Sequence, residues 1–100
     1  MISEHIHLQI GSLLFEGIDQ IDLTGPFEVF SRLPNSTYRL FATTTLPVLD
    51  TKGLRLVADA LLSDAPQLDL LHVPGGPGQE ALMENEEVLA WLRRGAWPRV

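Results

Sequence analysis

The chain has 100 residues, 45% of them apolar, and its seven basic and thirteen acidic side chains give a net charge of −6 at neutral pH. This is the composition of one small globular domain, and its negative charge repels phosphate backbones, so we expect no direct nucleic-acid binding by this segment. No run approaches the ~18 apolar residues of a membrane span, and the N-terminus does not resemble a signal peptide. We therefore expect a cytoplasmic protein without membrane contact. With no cysteine, the chain holds neither a disulfide nor a thiolate metal site.

The first half of the chain predicts a strand, a helix and a second strand. The apolar run at 6–15 has strand length and is typical of a strand covered on both faces. After a loop at 17–21, residues 25–33 show helical spacing, with Pro26 in the first turn, where a missing N–H costs no intrahelical bond. The alternating, β-branched segment 38–44 predicts a second strand, parallel to the first through a right-handed crossover.

The second half predicts a hairpin, a strand and a short helix. Segment 48–57 carries Lys52 and Gly53 in its middle, which predicts a small β-hairpin or two short strands. The apolar run 68–73 is typical of a buried strand that stops at a proline. Residues 75–83 then open with glycine and continue as one or two helical turns.

A final helix has signals at both ends. Asn85 supplies its N-cap, the acids at 86–87 lie in the positive first turn, the arginines at 93–94 lie in the negative last turn, and Gly95 is a left-handed stop. After this helix, Val100 is expected to be the first residue of another strand.

This order of elements predicts an α/β fold with a doubly wound, mainly parallel sheet, and 100 residues are few for covering both faces, so we expect it to be incomplete. In such sheets ligands bind at the carboxyl ends of the strands. Two turns fall there, at 22–26 and 74–78. An acid on one turn and bare backbone amides on the other indicate half of a catalytic site.

Two motifs resemble the N-terminal half of the DJ-1/PfpI superfamily, and within it most of all the isonitrile (isocyanide) hydratases. The resemblance is carried by DLTGP at 22–26, PGG at 74–76, Gly78 and the segments 48–59 and 81–83. It implies a flavodoxin-like, class I glutamine amidotransferase-like fold in which residues 1–100 form the N-terminal half of the domain. It also implies a homodimer with a small-molecule substrate and no cofactor.

The resemblance implies a hydro-lyase reaction in which a cysteine thiolate attacks the isonitrile carbon and an N-substituted formamide is released. In the family the cysteine follows the next strand, beyond the end of this chain, so we expect the chain alone to be inactive. Ser12, Ser31, Ser36 and Ser63 lie in no G-x-S-x-G setting and offer no substitute. The alternative is a non-catalytic ligand-binding domain of a transcriptional regulator, because similar domains precede a helix-turn-helix in some relatives.

Site residues follow from the same resemblance. Asp22 corresponds to the family acid beside the cysteine, a general acid/base, whereas the residues alone favour a helix-entry cap. Burial under Leu23 would favour its protonated form. Thr24 either binds the substrate or caps Phe27, and the cap is the favoured interpretation.

Three glycines complete the predicted site. Gly75, Gly76 and Gly78 correspond to a loop whose N–H groups approach a developing negative charge, and a tight turn is the alternative. Pro77 removes one donor from this loop. The segment also matches the dinucleotide-binding pattern G-x-G-x-x-A. We reject a dinucleotide site because the pattern follows a late strand and no acid can be placed downstream at the end of a second strand.

The histidines and the sheet edge carry weaker expectations. His5 and His7 share a strand face without a third ligand, so we predict a solvated strand start and no metal. We predict that His72 is a hydrogen-bonded core residue rather than a catalyst. Besides the hydratase and the regulator domain, a third possibility is a truncated product whose unpaired sheet edge leads it to dimerise or aggregate.

Overall fold

The computed structural model describes residues 6–93. Its elements are β1 (Leu8–Leu13), α1 (Gln20–Phe30), β2 (Ser36–Ala42), β3 (Val48–Leu49), β4 (Arg55–Leu56), β5 (Ala60–Leu61), a 3-10 turn (Leu62–Asp64), β6 (Leu70–His72), α2 (Gln79–Met83) and α3 (Glu86–Arg93). The predictions for His5, Arg94, Gly95 and Val100 fall outside the described residues.

A parallel sheet with strand order β5-β2-β1-β6 forms the centre of the fold. Strand β1 pairs in parallel with β2 on one side and with β6 on the other, and β2 pairs in parallel with β5. Strands β3 and β4 form a separate antiparallel ribbon, and Gly53, with φ +90°, lies in its connection. The predicted α/β class, the parallel sheet and the hairpin are confirmed. Strand β5 was not predicted, because two residues are too few to show a periodic pattern.

The two faces of β1 pack against different layers. Ser12 contacts Tyr38 and His72, whose rings meet Phe30 of α1. Gly11 points the other way, where an added Cβ would lie 2.9 Å from the side chains of Leu68 and Phe41. On that side the core continues into α2 and α3 through buried residues Leu82, Val88 and Trp91. Helices therefore cover both sides of the central strand.

Helix α1 begins at Gln20, not at Gly25, so the predicted start was wrong. The chain reverses earlier, in a turn where Ile18 donates to the Phe15 carbonyl and is itself fully buried. Asp19 holds the N-cap position with an extended backbone. Pro26 consequently lies inside the helix, where it cannot donate the usual bond to the carbonyl four residues earlier.

Helix α3 begins where its capping residue predicts. The Asn85 Oδ1 accepts hydrogen bonds from the N–H groups of Glu87 at 2.9 Å and Val88 at 3.2 Å. Val88 and Trp91 are the residues that the helix buries. Within residues 6–93 no helix has the length and apolar character needed to cross a bilayer.

Candidate active site

Two backbone turns meet at the carboxyl ends of β1 and β6. The Asp19 N–H donates to the Gly75 carbonyl at 3.0 Å, and the Gly78 N–H donates to the Gly17 carbonyl at 3.0 Å. From β1 the chain crosses to β2 on one side, while β6 lies on the other side. The junction is therefore a topological switch point, the usual position of a ligand site in an open α/β sheet.

Close backbone packing explains two of the predicted glycines. Gly76 has φ +137°, and a Cβ there would lie 2.5 Å from the Asp19 nitrogen. A Cβ on Gly78 would overlap the carbonyl oxygen of Glu16. Both positions require a residue without a side chain because the two turns lie in direct contact.

The Asp22 carboxylate lies over the third glycine. A Cβ on Gly75 would come 2.6 Å from Asp22 Oδ2. The predicted convergence of the acid and the glycine loop is therefore present in the structure. The predicted burial of Asp22 is wrong, because Leu23 turns into the core while Asp22 stays exposed. The cap interpretation is also wrong, since Asp22 is the third residue of α1 and Asp19 precedes the helix.

The loop offers two backbone donors. The Gly78 N–H is already bonded to Gly17, and Pro77 has none. The N–H groups of Gly75 and Gly76 donate to no residue within 6–93. Gln79 steadies the loop, since its backbone N–H donates to the Gly76 carbonyl at 3.0 Å and its side chain donates to the Pro74 carbonyl at 3.2 Å.

Thr24 does not cap Phe27, so the favoured interpretation was wrong. Its hydroxyl lies 3.1 Å from both the backbone carbonyl and the side-chain Oε1 of Gln20, and it donates back along the helix. This is the back-bonding usual for a threonine inside a helix. A substrate contact by Thr24 would require its hydroxyl to leave Gln20.

A buried polar network was missed by sequence reasoning. Ser12 Oγ lies 2.8 Å from Tyr38 Oη and 2.9 Å from His72 Nδ1. Ser12 is 0% exposed. Its partners are 26 and 60 residues away in sequence, and Ser12 faces His72 in the β1–β6 register. The prediction that His72 is hydrogen-bonded is confirmed, but its partner follows only from strand register.

The environment shifts both titratable members of this network. Burial lowers the pKa of His72 below its ordinary value, and the nearby Asp22 carboxylate opposes that shift. Burial raises the pKa of the Tyr38 phenol, while the hydrogen bond with Ser12 opposes it. Both directions favour the uncharged side chains.

A cleft of about 340 Å³ borders the junction at Gly78. Its lining is Leu14, Phe15, Glu16, Ala42, Thr43, Thr44, Leu46, Pro47, Val48, Gly78, Ala81, Leu82 and Asn85. It shares Gly78 with the glycine loop, but neither Asp22 nor Gly75 lines it. The acid and the cleft are thus separate features of the described chain.

The N-terminal histidines do not form a metal centre within residues 6–93. His7 Nε2 instead contacts Thr37 Oγ1 at 2.7 Å on the exposed start of β1, and His5 lies outside the described range. In that range no three histidine, aspartate or glutamate side chains cluster as metal ligands do.

The fold and this junction define an α/β protein with an acid and a glycine loop at the carboxyl edge of a parallel sheet. Residues 9–97 match the DJ-1/PfpI family, and the chain belongs to that family. The resemblance stated from the motifs is confirmed.

Individual members of the family show how far the similarity extends. It is 43% identical over 89 residues to the isonitrile hydratase of Pseudomonas putida, covering 89% of this chain and 39% of that protein. A crystal structure of a ThiJ/PfpI family protein from Pseudomonas syringae superposes with a TM-score of 0.81 at 32% identity, over 86% of this chain and 36% of the other. A DJ-1 superfamily protein from Salmonella typhimurium superposes with a TM-score of 0.72 at 26% identity, over 88% and 49% of the two chains. The chain thus spans less than half the length of these relatives.

Proposed function

We propose that residues 1–100 form the N-terminal half of a DJ-1/PfpI domain that hydrates an isonitrile to an N-substituted formamide, a hydro-lyase reaction. The observation that carries the proposal is the Asp22 carboxylate lying against Gly75, in a chain 43% identical to an isonitrile hydratase. The chain has no cysteine, so the nucleophile would come from a segment beyond it. The 100-residue chain by itself is expected to be inactive.

The reaction assigns one task to each group. A cysteine thiolate adds to the terminal isonitrile carbon, and Asp22, directly or through water, delivers a proton to that carbon, which gives a thioimidate. Water then adds to the same carbon, the C–S bond breaks, and the formamide leaves as the thiolate is restored. A proton of the added water returns to Asp22. The sum is one isonitrile and one water to one formamide.

The glycine loop supports the charge that develops during the addition. The N–H groups of Gly75 and Gly76 are the donors for this task, because neither is used by another described residue. Gly78 serves by letting the two turns pack, since its N–H is bonded to Gly17. Thr24 is a candidate substrate contact that must first release Gln20.

The remaining properties are proposed with the reaction. The substrate is a small molecule, the protein is a cytoplasmic homodimer, it needs no cofactor, and this segment does not bind nucleic acid. The net charge of −6 supports the last point.

A chimera tests the reaction. The matching segment of the Pseudomonas putida hydratase is replaced by residues 9–97 of this chain, and formamide formation from a simple alkyl isonitrile is followed by NMR. The chimera is expected to turn over, and Asp22→Asn is expected to lower kcat by about 100-fold or more. Asp64→Asn, an exposed acid on the 3-10 turn, is the matched control and should retain activity.

The alternative is a ligand-binding domain of a transcriptional regulator without chemistry. The open cleft of about 340 Å³, which neither Asp22 nor Gly75 lines, favours it. A folded chimera that binds the isonitrile by calorimetry but releases no formamide would support this alternative and overturn the hydratase.

A further inference from the structure

We propose that Tyr38 and Ser12 hold His72 as the neutral Nε2–H tautomer, and that His72 in this form is a positioning residue that gives Asp22 an uncharged neighbour. The role of this tautomer in catalysis rests on the proposed function. The tautomer itself is a property of the chain and is tested independently of activity.

The direction of the hydrogen bonds follows from the chemistry of the three groups. A phenol is a stronger donor than an alkyl hydroxyl, and a neutral imidazole nitrogen is a stronger acceptor than a phenol oxygen. The best arrangement is therefore Tyr38 donating to Ser12 at 2.8 Å and Ser12 donating to His72 Nδ1 at 2.9 Å. Because Nδ1 accepts, the proton of the neutral ring lies on Nε2.

The surroundings of the network favour this direction. The Tyr38 ring lies 5.5 Å from the rings of both Phe27 and Phe30, and Phe30 also meets the His72 ring at 5.9 Å. These contacts hold the phenol and the imidazole on the α1 side of the sheet, with Ser12 between them. Burial keeps the proton on Tyr38, so it remains a donor.

The same geometry opposes a charged imidazole. A cationic His72 must donate from Nδ1 to Ser12, so the Ser12 O–H would have to turn to the Tyr38 oxygen and the phenol would lose Ser12 as its acceptor. That reversal gives up the bond donated by the stronger hydroxyl donor of the network, at a half-buried side chain, and this costs free energy. Burial of the ring acts in the same direction.

The consequence falls on Asp22. Within the described residues, Asp22 on α1 acts on the imidazole through its charge, whereas Tyr38 on β2 acts through Ser12 of β1. A neutral ring forms no ion pair with the Asp22 carboxylate, whereas a cationic ring would. Ser12 is not itself a nucleophile, because it is fully buried and used by both partners.

Nitrogen NMR of the chain with labelled histidine tests the tautomer. Two-bond proton–nitrogen correlations should show His72 with the proton on Nε2 at neutral pH. Ser12→Ala or Tyr38→Phe should yield a mixture of tautomers and raise the titration midpoint of His72, and the second variant serves if the first does not fold. Thr37→Val is the matched control, because it removes a β2 hydroxyl that contacts His7 and should change that histidine alone. A proton on Nδ1 in the native chain, or spectra unchanged in both variants, would overturn the proposal.

The chimera described above supplies the functional readout. Tyr38→Phe should move the acid limb of its kcat profile to higher pH, because the imidazole then becomes cationic more easily and Asp22 faces a charged ring. An unmoved profile in an active chimera overturns the positioning role. An inactive chimera whose native His72 still carries its proton on Nε2 overturns the proposed function and leaves the tautomer established.

Discussion

Asp22 and Gly75 are so close that the glycine has no room for a methyl group: its Cβ would come 2.6 Å from Asp22 Oδ2. The first belongs to α1 and the second follows β6, so this contact joins the two turns at the switch point of the sheet. It is also the contact from which the proposed reaction starts.

Gly75→Ala should displace the carboxylate rather than unfold the chain. The obstacle is the end of a flexible, exposed side chain, so we expect a stability loss of about 1 kcal/mol or less and a kcat loss of about tenfold or more in the chimera. Urea denaturation and the formamide assay measure the two effects. Gly25→Ala is the control, because its Cβ meets nothing within 4 Å apart from its chain neighbours. Inside α1 the usual gain from alanine is opposed by the ring of the following Pro26, so we expect a stability change of less than about 1 kcal/mol and an unchanged kcat. Equal losses of kcat from both substitutions would contradict this explanation.

Gly78→Ala should be far more damaging, because the added Cβ overlaps the backbone of Glu16, which cannot swing aside. We expect a loss of about 3 kcal/mol or more, seen as a lower denaturation midpoint. Gly53→Ala distinguishes the effect of steric overlap on stability from the effect of backbone strain. That glycine has φ +90° but open space around it, so only strain of about 1–2 kcal/mol is expected. A larger loss of stability from Gly53→Ala than from Gly78→Ala would contradict this explanation.

The stability of the chain should depend on pH through His72. Burial lowers the pKa of the folded imidazole below its ordinary value of 6.5, although Asp22 opposes this. The unfolded chain therefore binds more protons below that pH, and stability falls as the pH decreases through and below it. In His72→Asn the loss between about pH 7 and pH 5 should be smaller. Urea denaturation at several pH values measures this, and parallel curves for the two proteins would contradict it.

The Asn85 cap should contribute to stability independently of the site. Asn85→Ala removes the acceptor for the N–H groups of Glu87 and Val88, so we expect a loss of about 1 kcal/mol. Asn85→Asp keeps an acceptor and should retain most of the stability. Thermal unfolding followed by circular dichroism compares them. A deficit in the aspartate variant as large as that in the alanine variant would mean that the cap is not the cause.

Local patterns were sufficient for much of the fold. The apolar run around β1, the turn residues of the β3–β4 ribbon and the Asn85 cap each depend on neighbours in sequence, and each was predicted. The start of α1 was not. Gly25 and Pro26 look like a helix start, but the preceding turn is held by the Gly75 carbonyl and by burial of Ile18, and it begins the helix at Gln20.

The candidate site divides in the same way. The family resemblance carried by the two motifs was needed to choose Asp22 as the site acid, because the residues alone favoured a helix cap. The motifs could not show that Gly78 donates to Gly17, that Asp22 is exposed, or that Thr24 bonds back to Gln20.

By itself, then, the sequence determined an α/β chain with a parallel sheet, its family, and the two turns that approach each other at the carboxyl edge. Periodicity and turn chemistry are local, and they remain legible without coordinates. Only the tertiary structure decided which amides stay available and that Ser12 joins Tyr38 to His72. Those relationships depend on strand register and on the contact of two turns some 60 residues apart, and no local pattern encodes either.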